Sequence, residues 1–357
     1  MSFVATYPFE LPLLPPPVGL KNPLFFDGIL KARTELAELN GYSLSLPNPL
    51  LLLSPAIVKE SMASSEIENI HTTLVEAFQN QLFPEWEQRE ADKEVLRYRE
   101  AVLWSFQQLQ EIPISTRLIL GIQEKLIPSS GGHYRKQQNK IENTTAKEVV
   151  YTPPIASQIP HLMSNWENFV NQEDDSIDPL IRCATAHYQF EAIHPFLDGN
   201  GRTGRILIVL QLVQNKILNL PVLYVSGFIN KNRNKYYQLL RGVTREKDWN
   251  SFILFLLDAF YQQAKETKGL LLKLRMLYEG MREEIKAKLP KIYSGDLVEQ
   301  LFSFPIITPV KLGDRLNIHY TTATRHLKAL TQEGFLRNRK FGKYQFYINE
   351  KLMKVLE

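Results

Sequence analysis

Cysteine is all but missing from this 357-residue chain, in which Cys183 stands alone. No internal disulfide can form, so the fold rests on burial and hydrogen bonding, as expected of a protein kept in a reducing cytoplasm. Long apolar runs are missing too. No stretch of about eighteen apolar residues occurs, which predicts no membrane span, and no charged-then-apolar leader opens the chain, which predicts no secretory signal. Charge of one sign is not in excess: 42 Lys and Arg face 38 Asp and Glu, a net charge of +4. That is too mild to make the whole chain a polyanion binder. His71, His133, His161, His187 and His319 show no metal-ligand spacing, so no zinc site is expected. A hydrophobic share of 44% at this length predicts two or three globular domains.

What the chain does have is one dense stretch, His194-Pro195-Phe196-Leu197-Asp198-Gly199-Asn200-Gly201-Arg202-Thr203-Gly204-Arg205. Upstream, Asp178-Pro179 predicts a helix start, with a capping carboxylate and a ring preset to helical φ. Ile181, Ala184, Tyr188 and Ala192 recur at helical spacing, which puts His194 at the end of a buried helix stopped by Pro195. After the glycines, the apolar run from Ile206, extended to Leu218 through Gln211 and Gln214, predicts a second helix. Helix, tight loop, helix is the expected local fold.

Glycines let a backbone turn sharply and aim its N–H groups at an anion, and the start of the next helix adds partial positive charge. A phosphate fits there. Arg202 and Arg205 are three apart and share the first turn, where their forks can take further phosphate oxygens. A carboxylate at Asp198 beside phosphates calls for a cation between them, and Mg²⁺ favours one carboxylate plus phosphate oxygens. His194 stands where it can take a proton from an incoming hydroxyl. The run from Gly199 to Gly204 also spells the dinucleotide fingerprint GxGxxG, but that fingerprint follows a strand and needs an acidic residue about twenty positions on. Here a helix precedes, Tyr224-Val225 holds the later position, and no Walker-type lysine follows.

The stretch resembles the signature of the Fic family, HPFxDGNGRxGR, at every fixed position. The resemblance implies transfer of AMP from Mg-ATP to a Ser, Thr or Tyr hydroxyl of a target protein. It makes His194 the base and puts Asp198 on Mg²⁺. Gly199, Asn200 and Gly201 hold phosphates, Arg202 and Arg205 reach the outer ones, and Thr203 and Gly204 complete the nucleotide site. In Doc-type kinases lysine replaces the residue at Gly201, so glycine favours nucleotidyl transfer. Ser64, Glu68 and Asn69 are similar to an inhibitory pattern of the family: Ser or Thr, three residues, Glu, then Gly or Asn. By that likeness Glu68 pairs with Arg205 and takes the place of the terminal phosphate, two anions competing for one guanidinium. Without the family, Ser64 and Glu68 one turn apart read as a solvated helix face. Two extended runs, Gln137 to Ile141 and Val149 to Tyr151, read as a hairpin tipped by Glu142 to Glu148, and an ordinary surface hairpin would look the same. The resemblance makes Val149, Val150 and Tyr151 part of a flap that holds the target as an added strand. It also places Lys231 and Tyr237 beside the adenine.

Elsewhere, Pro8, Pro12 and Pro15-Pro16-Pro17 predict an extended, tethered arm. Helices are expected from Asp27 to Leu39 with a turn at Asn40-Gly41, and from a start at Ser54-Pro55. Others are read from Glu76 to Leu109 with a break at Pro84, from Thr116 to Leu126 after a stop at Ile112-Pro113, and over 248–262 and 264–288. The pair Gly131-Gly132 turns the chain into Tyr134-Arg135. Beyond Pro290 the pattern resembles a winged helix-turn-helix: Thr308-Pro309 to Leu316-Asn317, Thr321 to Thr331 stopped by Gly334, then extended runs meeting at Phe341-Gly342. Thr322, Arg325, His326 and Lys328 would face a groove, with Arg337, Arg339, Lys340 and Lys343 on the wing. Basic residues outnumber acidic ones about two to one there, so DNA is a possible partner.

The expected fold is mostly α: a helical N-terminal region (1–110) carrying the inhibitory helix (54–72), a Fic-type helical core with a small β-hairpin flap (111–289), and a winged helix-turn-helix (290–357). The expected function is that of a self-inhibited protein adenylyltransferase whose partners are ATP and a hydroxyl-bearing target protein, with a homodimer possible. Alternatives are a hydrolase that removes AMP with Glu68 positioning water, or a DNA-binding regulator that senses nucleotide.

Overall fold

The structure is a computed structural model and describes residues 3–46, 48–130, 132–143, 147–173, 176–342 and 344–357. Gly131, positions 144–146 of the expected hairpin tip, and Lys343 lie outside the described residues.

In chain order the elements are α1 (Phe26–Leu44), α2 (Pro49–Ile67), α3 (Leu74–Asn80), α4 (Glu90–Gln108) and α5 (Thr116–Leu126), then β1 (Ile141–Asn143) and β2 (Glu148–Tyr151). There follow α6 (Ile159–Asn171), α7 (Pro179–Ile193), α8 (Asn200–Gln214), α9 (Ser226–Lys231), α10 (Arg233–Glu246) and α11 (Trp249–Lys288). The chain ends with α12 (Gly295–Ser303), β3 (Ile306–Ile307), α13 (Pro309–Leu316), α14 (Tyr320–Gln332), β4 (Arg337–Phe341), β5 (Tyr344–Ile348) and α15 (Glu350–Leu356). The protein is thus mostly helical, with two small antiparallel sheets among the described residues. Among the described residues, no helix is long and apolar enough to cross a membrane.

Several sequence boundaries move. The first strand, expected over Gln137 to Ile141, lies at Ile141–Asn143, at the start of the expected tip. The first helix runs through Asn40-Gly41 to Leu44, because Leu36, Leu39 and Ser43 along it are fully buried and tertiary packing outweighs the modest cost of a helical glycine. The second helix starts at Pro49, not at Ser54-Pro55, and Pro55 lies inside it; the apolar run after Pro49 belongs to the helix. The helix after the glycines stops at Gln214, with Lys216 left-handed at φ 57° and the Ile217 and Leu218 amides closing on the Leu212 carbonyl. Residues 249–288 form one 40-residue helix, since no proline interrupts it and Gln263 and Thr267 are buried within it. α6, α9, α10, α12, β3 and α15 have no counterpart in the sequence reading.

Two compact units emerge. Unit 1 comprises residues 1–40 and 100–265. At its heart α7 packs against α6 and α8, and α5 against the same two helices. Leu180 to Phe190 on α7 is buried throughout, so this helix is enclosed on every side, with Arg182, Thr185, His187 and Gln189 buried among its apolar residues. Cys183 lies there with its thiol toward the Ile208 carbonyl at 3.7 Å, and burial pushes its pKa far up. The proline-rich arm is docked, as the sequence predicts: Phe9 donates to the Thr152 carbonyl at 2.9 Å, Gln189 to the Pro12 carbonyl at 2.7 Å, and Leu14 to Asn165 Oδ1 at 2.7 Å.

Unit 2 comprises residues 41–99 and 266–357. Within it α2 packs against α3, α12 and α15, and α13 against α14. The sheet has the order β3-β5-β4, with Ile306 and Arg337 both opposite Ile348 and with Phe341 opposite Tyr344. Thr308 caps α13, Asn317 ends it left-handed at φ 52°, and Gly334 (φ 77°) and Gly342 (φ 56°) turn the chain where the sequence puts its stops. Phe83 sits 4.9 Å from the Tyr344 ring, whose hydroxyl donates to Glu87 at 2.8 Å, tying this sheet to the stretch before α4.

Candidate active site

Asp178 caps α7 through its side chain on the Leu180 amide, Pro179 fills the first position, and His194 ends the helix in the left-handed region at φ 49°, ψ 61°. A left-handed residue that is neither Gly nor Asn is uncommon and marks a constrained position. The constraint is visible. Arg135, only 3% exposed, donates from Nε to the His194 carbonyl at 2.9 Å, from Nη1 to the Gln137 carbonyl at 3.0 Å and from Nη2 to the Pro154 carbonyl at 2.5 Å. Its own amide donates to the Pro195 carbonyl at 2.9 Å. One guanidinium therefore pins the hairpin's two flanks to the turn that carries the histidine.

The loop closes on Asn200. Its Oδ1 accepts the Phe196 amide and its Nδ2 donates to the Phe196 carbonyl, both at 2.9 Å, so its carboxamide is held in one orientation. From there Nδ2 lies 3.2 Å from Nδ1 and 3.3 Å from Nε2 of His194. Asn139, just before β1, brings its Nδ2 to 2.9 Å from His194 Nδ1. Gly199 (φ 81°, ψ 9°) then enters α8. A side chain there would be strained by the positive φ, and its Cβ would also come within 3.0 Å of Ile127. The first amides of a fifteen-residue helix consequently open onto the loop, with the positive end of the helix behind them.

Around that helix start the charges are arranged for an anion. Arg202 and Arg205 are 1% and 2% exposed, and Arg202 Nη2 approaches Asp198 Oδ1 at 3.4 Å. Asp198 is itself solvent-facing, and Oδ1 also accepts the Gly199 amide at 2.5 Å. Thr203 is fully buried. Gly204 lies inside α8 with its Cα against Phe190 and Glu191 of α7, where a Cβ would come within 3.2 Å of the Phe190 ring; its missing side chain serves the close approach of the two helices.

Behind Arg205 stands His187, wholly buried, with Nε2 2.8 Å from the Tyr236 hydroxyl. Desolvation first, and the Arg205 charge second, lower its pKa from the ordinary 6.5 to about 3. It is therefore neutral at pH 7, a hydrogen-bonded core residue. Because the folded pKa lies below the unfolded one, the unfolded chain takes up the proton first as pH falls. Stability should thus drop between about pH 6.5 and 3, by an amount on the order of a few kcal/mol. Urea midpoints measured across that window should fall less for His187→Gln, which keeps a polar partner for Tyr236 but cannot titrate; equal slopes would contradict this assignment.

Tyr151 anchors the hairpin: its hydroxyl donates to the Ala192 carbonyl at 2.7 Å, its ring packs with Phe3 and Phe9, and burial pushes its pKa well up. Val149 pairs with Glu142, and Val150 falls at the irregularity between the Ile141 and Glu142 pairings. Lys231 ends α9, and Tyr237 stands in the first turns of α10 with its ring tilted against that of Tyr236, centroids 5.4 Å apart. Arg135 and Asn139 were not legible as site residues, since neither lies in the signature and only the folded hairpin brings them to His194.

The second motif sits in unit 2, at the end of α2. Ser64 is on the last turn, Glu68 is the C-cap, and Asn69 is left-handed at φ 62°. The Ile70 amide bonds the Ser65 carbonyl at 3.0 Å and the Asn69 amide bonds the Glu66 carbonyl at 2.9 Å, the paired closure of a Schellman motif. The expected helix over 54–72 therefore ends at Ile67. This supplies a physical reason for the "Gly or Asn" after the glutamate: that residue must turn left-handed to end the helix under the carboxylate. Asn69→Val should lower stability by about 1–2 kcal/mol while Asn69→Gly leaves it unchanged or better. Thermal denaturation reads the difference, and three equal melting temperatures would refute it.

Comparison with known proteins bears on the whole chain. The profile of the Fic/DOC family matches residues 113–212, that of the Fic/DOC family N-terminal region matches 27–107, and that of the protein adenylyltransferase SoFic-like C-terminal domain matches 277–352. Protein adenylyltransferase Fic of Drosophila yakuba is 31% identical over 155 residues, and that of Drosophila melanogaster is 30% identical over the same length. These alignments take in 42% of this chain; they span 28% of the D. yakuba protein and 29% of the D. melanogaster one, so the chain covers less than a third of these curated relatives. Among solved structures, a Fic family protein from Desulfovibrio desulfuricans shares the fold with a TM-score of 0.59 at 17% identity, over 93% of this chain and 98% of that one. A Fic domain containing signaling protein from Bacteroides thetaiotaomicron does so with a TM-score of 0.53 at 18% identity, over 70% of this chain and 97% of that one.

Proposed function

This chain belongs to the Fic/DOC family, and on that premise we propose that it is a protein adenylyltransferase, moving AMP from ATP to a hydroxyl of a target protein. The observation that carries the reading is the convergence, on one loop, of a histidine held at a helix end with an open helix N-terminus and two buried arginines. A base beside a phosphate cradle is what phosphoryl and nucleotidyl transfer require of a protein.

In this reading His194 takes the proton of the target hydroxyl as its oxygen attacks the α-phosphorus, and pyrophosphate leaves. The amides at the start of α8 and the Arg202 and Arg205 guanidinia hold the phosphate oxygens and the negative charge that builds on them. Thr203 and Gly204 serve by packing α8 against its neighbours. The residues fit Mg²⁺ bound together with a nucleotide: Asp198 offers one solvent-facing carboxylate. Among the described residues no three His, Cys, Asp or Glu side chains gather into a metal cage of their own. When bound there, Mg²⁺ would neutralise phosphate charge. Val149 and Val150 on the hairpin are assigned to the target, Tyr151 to anchoring it, and Lys231 and Tyr237 to the adenine end.

Self-inhibition by Ser64, Glu68 and Asn69 belongs to the same proposal and rests on the motif: a carboxylate at Glu68 competes with the terminal phosphate for Arg205. The C-terminal helices and sheet of unit 2 are assigned as a winged helix-turn-helix. The exposure of Arg337, Arg339 and Lys340 on β4 favours a second role in binding duplex DNA. Binding that weakens in Arg339→Ala/Lys340→Ala and falls steeply with salt supports that role; no binding at low salt removes it.

The test of the central reading is incubation with Mg²⁺ and α-labelled ATP, alone and with cell lysate. Label carried covalently on a protein band supports it, and label that appears from γ-labelled ATP instead would make the chain a kinase.

A further inference from the structure

The two carboxamides at His194 have unequal freedom. Asn200 is fixed as a donor toward the ring, because its Oδ1 is committed to the Phe196 amide. Asn139 is fixed at neither end: its Nδ2 lies 2.9 Å from His194 Nδ1, and its Oδ1 is buried with no hydrogen-bond partner. A half-turn of that carboxamide exchanges the two atoms within the same envelope.

The proton balance decides which orientation serves catalysis. Asn139 lies on the Nδ1 side of the ring, and the ring atom assigned to the target hydroxyl is therefore Nε2. A neutral imidazole can accept at Nε2 only when its one proton is on Nδ1, and Nδ1–H needs an acceptor. Asn200 cannot offer one; Asn139 can. We propose that Asn139 is a positioning residue that sets the tautomer of His194, its Oδ1 accepting Nδ1–H so that Nε2 keeps its lone pair for the target. This rests on the transferase reading above.

The step balances. The target O–H proton moves to Nε2, the O–P bond forms as the bond to pyrophosphate breaks, and the resulting imidazolium keeps its Nδ1–H on Asn139 Oδ1. The opposite orientation, with Nδ2 donating to Nδ1, puts the proton on Nε2 and leaves the ring unable to act as base toward the target. Asn139 is well placed to hold the productive state. The preceding stretch is clamped, with Arg135 on the Gln137 carbonyl and Gln138 Nε2 donating to the Pro153 carbonyl at 2.9 Å. The hairpin that faces the target thus also reaches back to the base.

Two readouts test this on the full chain. The first is the ¹⁵N spectrum of the His194 ring, assigned by its loss in His194→Asn: wild type and Asn139→Asp should show Nδ1–H, and Asn139→Leu should shift the ring toward Nε2–H. The second is AMP transfer in the Glu68→Gly background. Asn139→Leu should lower kcat by roughly 10- to 100-fold with KM for ATP within about twofold, while Asn139→Asp, which keeps an acceptor at the same place, should retain most of kcat. Nε2–H in wild type overturns the proposal, and so does an unchanged kcat in Asn139→Leu. A loss in Asn139→Leu that Asn139→Asp shares equally also counts against it. Absence of transfer even in Glu68→Gly would sink the transferase reading, and the ring spectrum would still judge the tautomer.

Discussion

Replacing His194 is expected to end AMP transfer while leaving the nucleotide in place. Removing a general base costs about 10²- to 10⁴-fold, and the phosphate contacts are assigned to the α8 amides and the two arginines rather than to the base, so the affinity for Mg-ATP should change by no more than a few fold. The choice of variant matters. His194 is left-handed at φ 49°, a conformation that costs alanine about 1–2 kcal/mol but that asparagine visits readily. His194→Ala therefore mixes a chemical loss with a strained turn, whereas His194→Asn isolates the chemistry. The measurement pairs intact mass after incubation with Mg²⁺ and α-labelled ATP with calorimetric titration of the nucleotide. Both variants should bind and neither should label. Transfer by His194→Asn at the wild-type rate would remove the histidine from the mechanism; a nucleotide-sensing regulator would instead show binding in every variant and label in none, wild type included.

Glu68→Gly should act in the opposite direction and raise transfer. If the Glu68 carboxylate competes for Arg205, it does so through a charge-assisted hydrogen bond worth about 1.5–3 kcal/mol, which converts to an activation of roughly 10- to 150-fold. The substitution is locally mild. Glu68 is the cap residue of α2 at φ −91°, ψ 15°, and the turn that ends the helix is made by the backbone and by Asn69, not by the glutamate side chain. Glu68→Gln keeps the shape and drops the charge, so it should fall between wild type and Glu68→Gly, with the order following carboxylate charge. Equal labelling of all three would rule out inhibition by this residue and leave Ser64 to Asn69 as an ordinary helix end.

The turn between α7 and α8 was legible because local chemistry writes it. A proline after the cap opens α7, Pro195 and a left-handed residue end it, and a glycine with positive φ starts α8; each is a backbone demand that few residue types meet. The same holds for α5 and for the helix pair ending at Asn317 and Gly334. Where a proline lies inside a helix, as Pro55 does, it was read as the helix start, five residues or more too late. Where burial overrides local preference, as at Asn40-Gly41, it stopped a helix too early. Arg135 and Asn139 stayed hidden for another reason: their meaning is a distance across more than fifty residues of chain, and the short strands that set it carry little periodicity. The hairpin's anchoring residue, Tyr151, was seen, but as a surface for the target and not as the buried fastening that it is.

The lone cysteine has a practical consequence. Cys183 is buried in the middle of α7 with its thiol protonated far beyond neutral pH, and a protonated, inaccessible thiol does not react with maleimides or methanethiosulfonates. The wild-type chain already behaves as a cysteine-free background for site-directed labelling. A spectroscopic ruler can be built on it with two substitutions at exposed helical positions, Leu30→Cys in unit 1 and Met276→Cys in unit 2, which are 68% and 73% exposed. Pulsed dipolar spectroscopy between spin labels at those sites, recorded with and without Mg-ATP, would report the distance between the two labelled positions in each state, with the native thiol silent throughout.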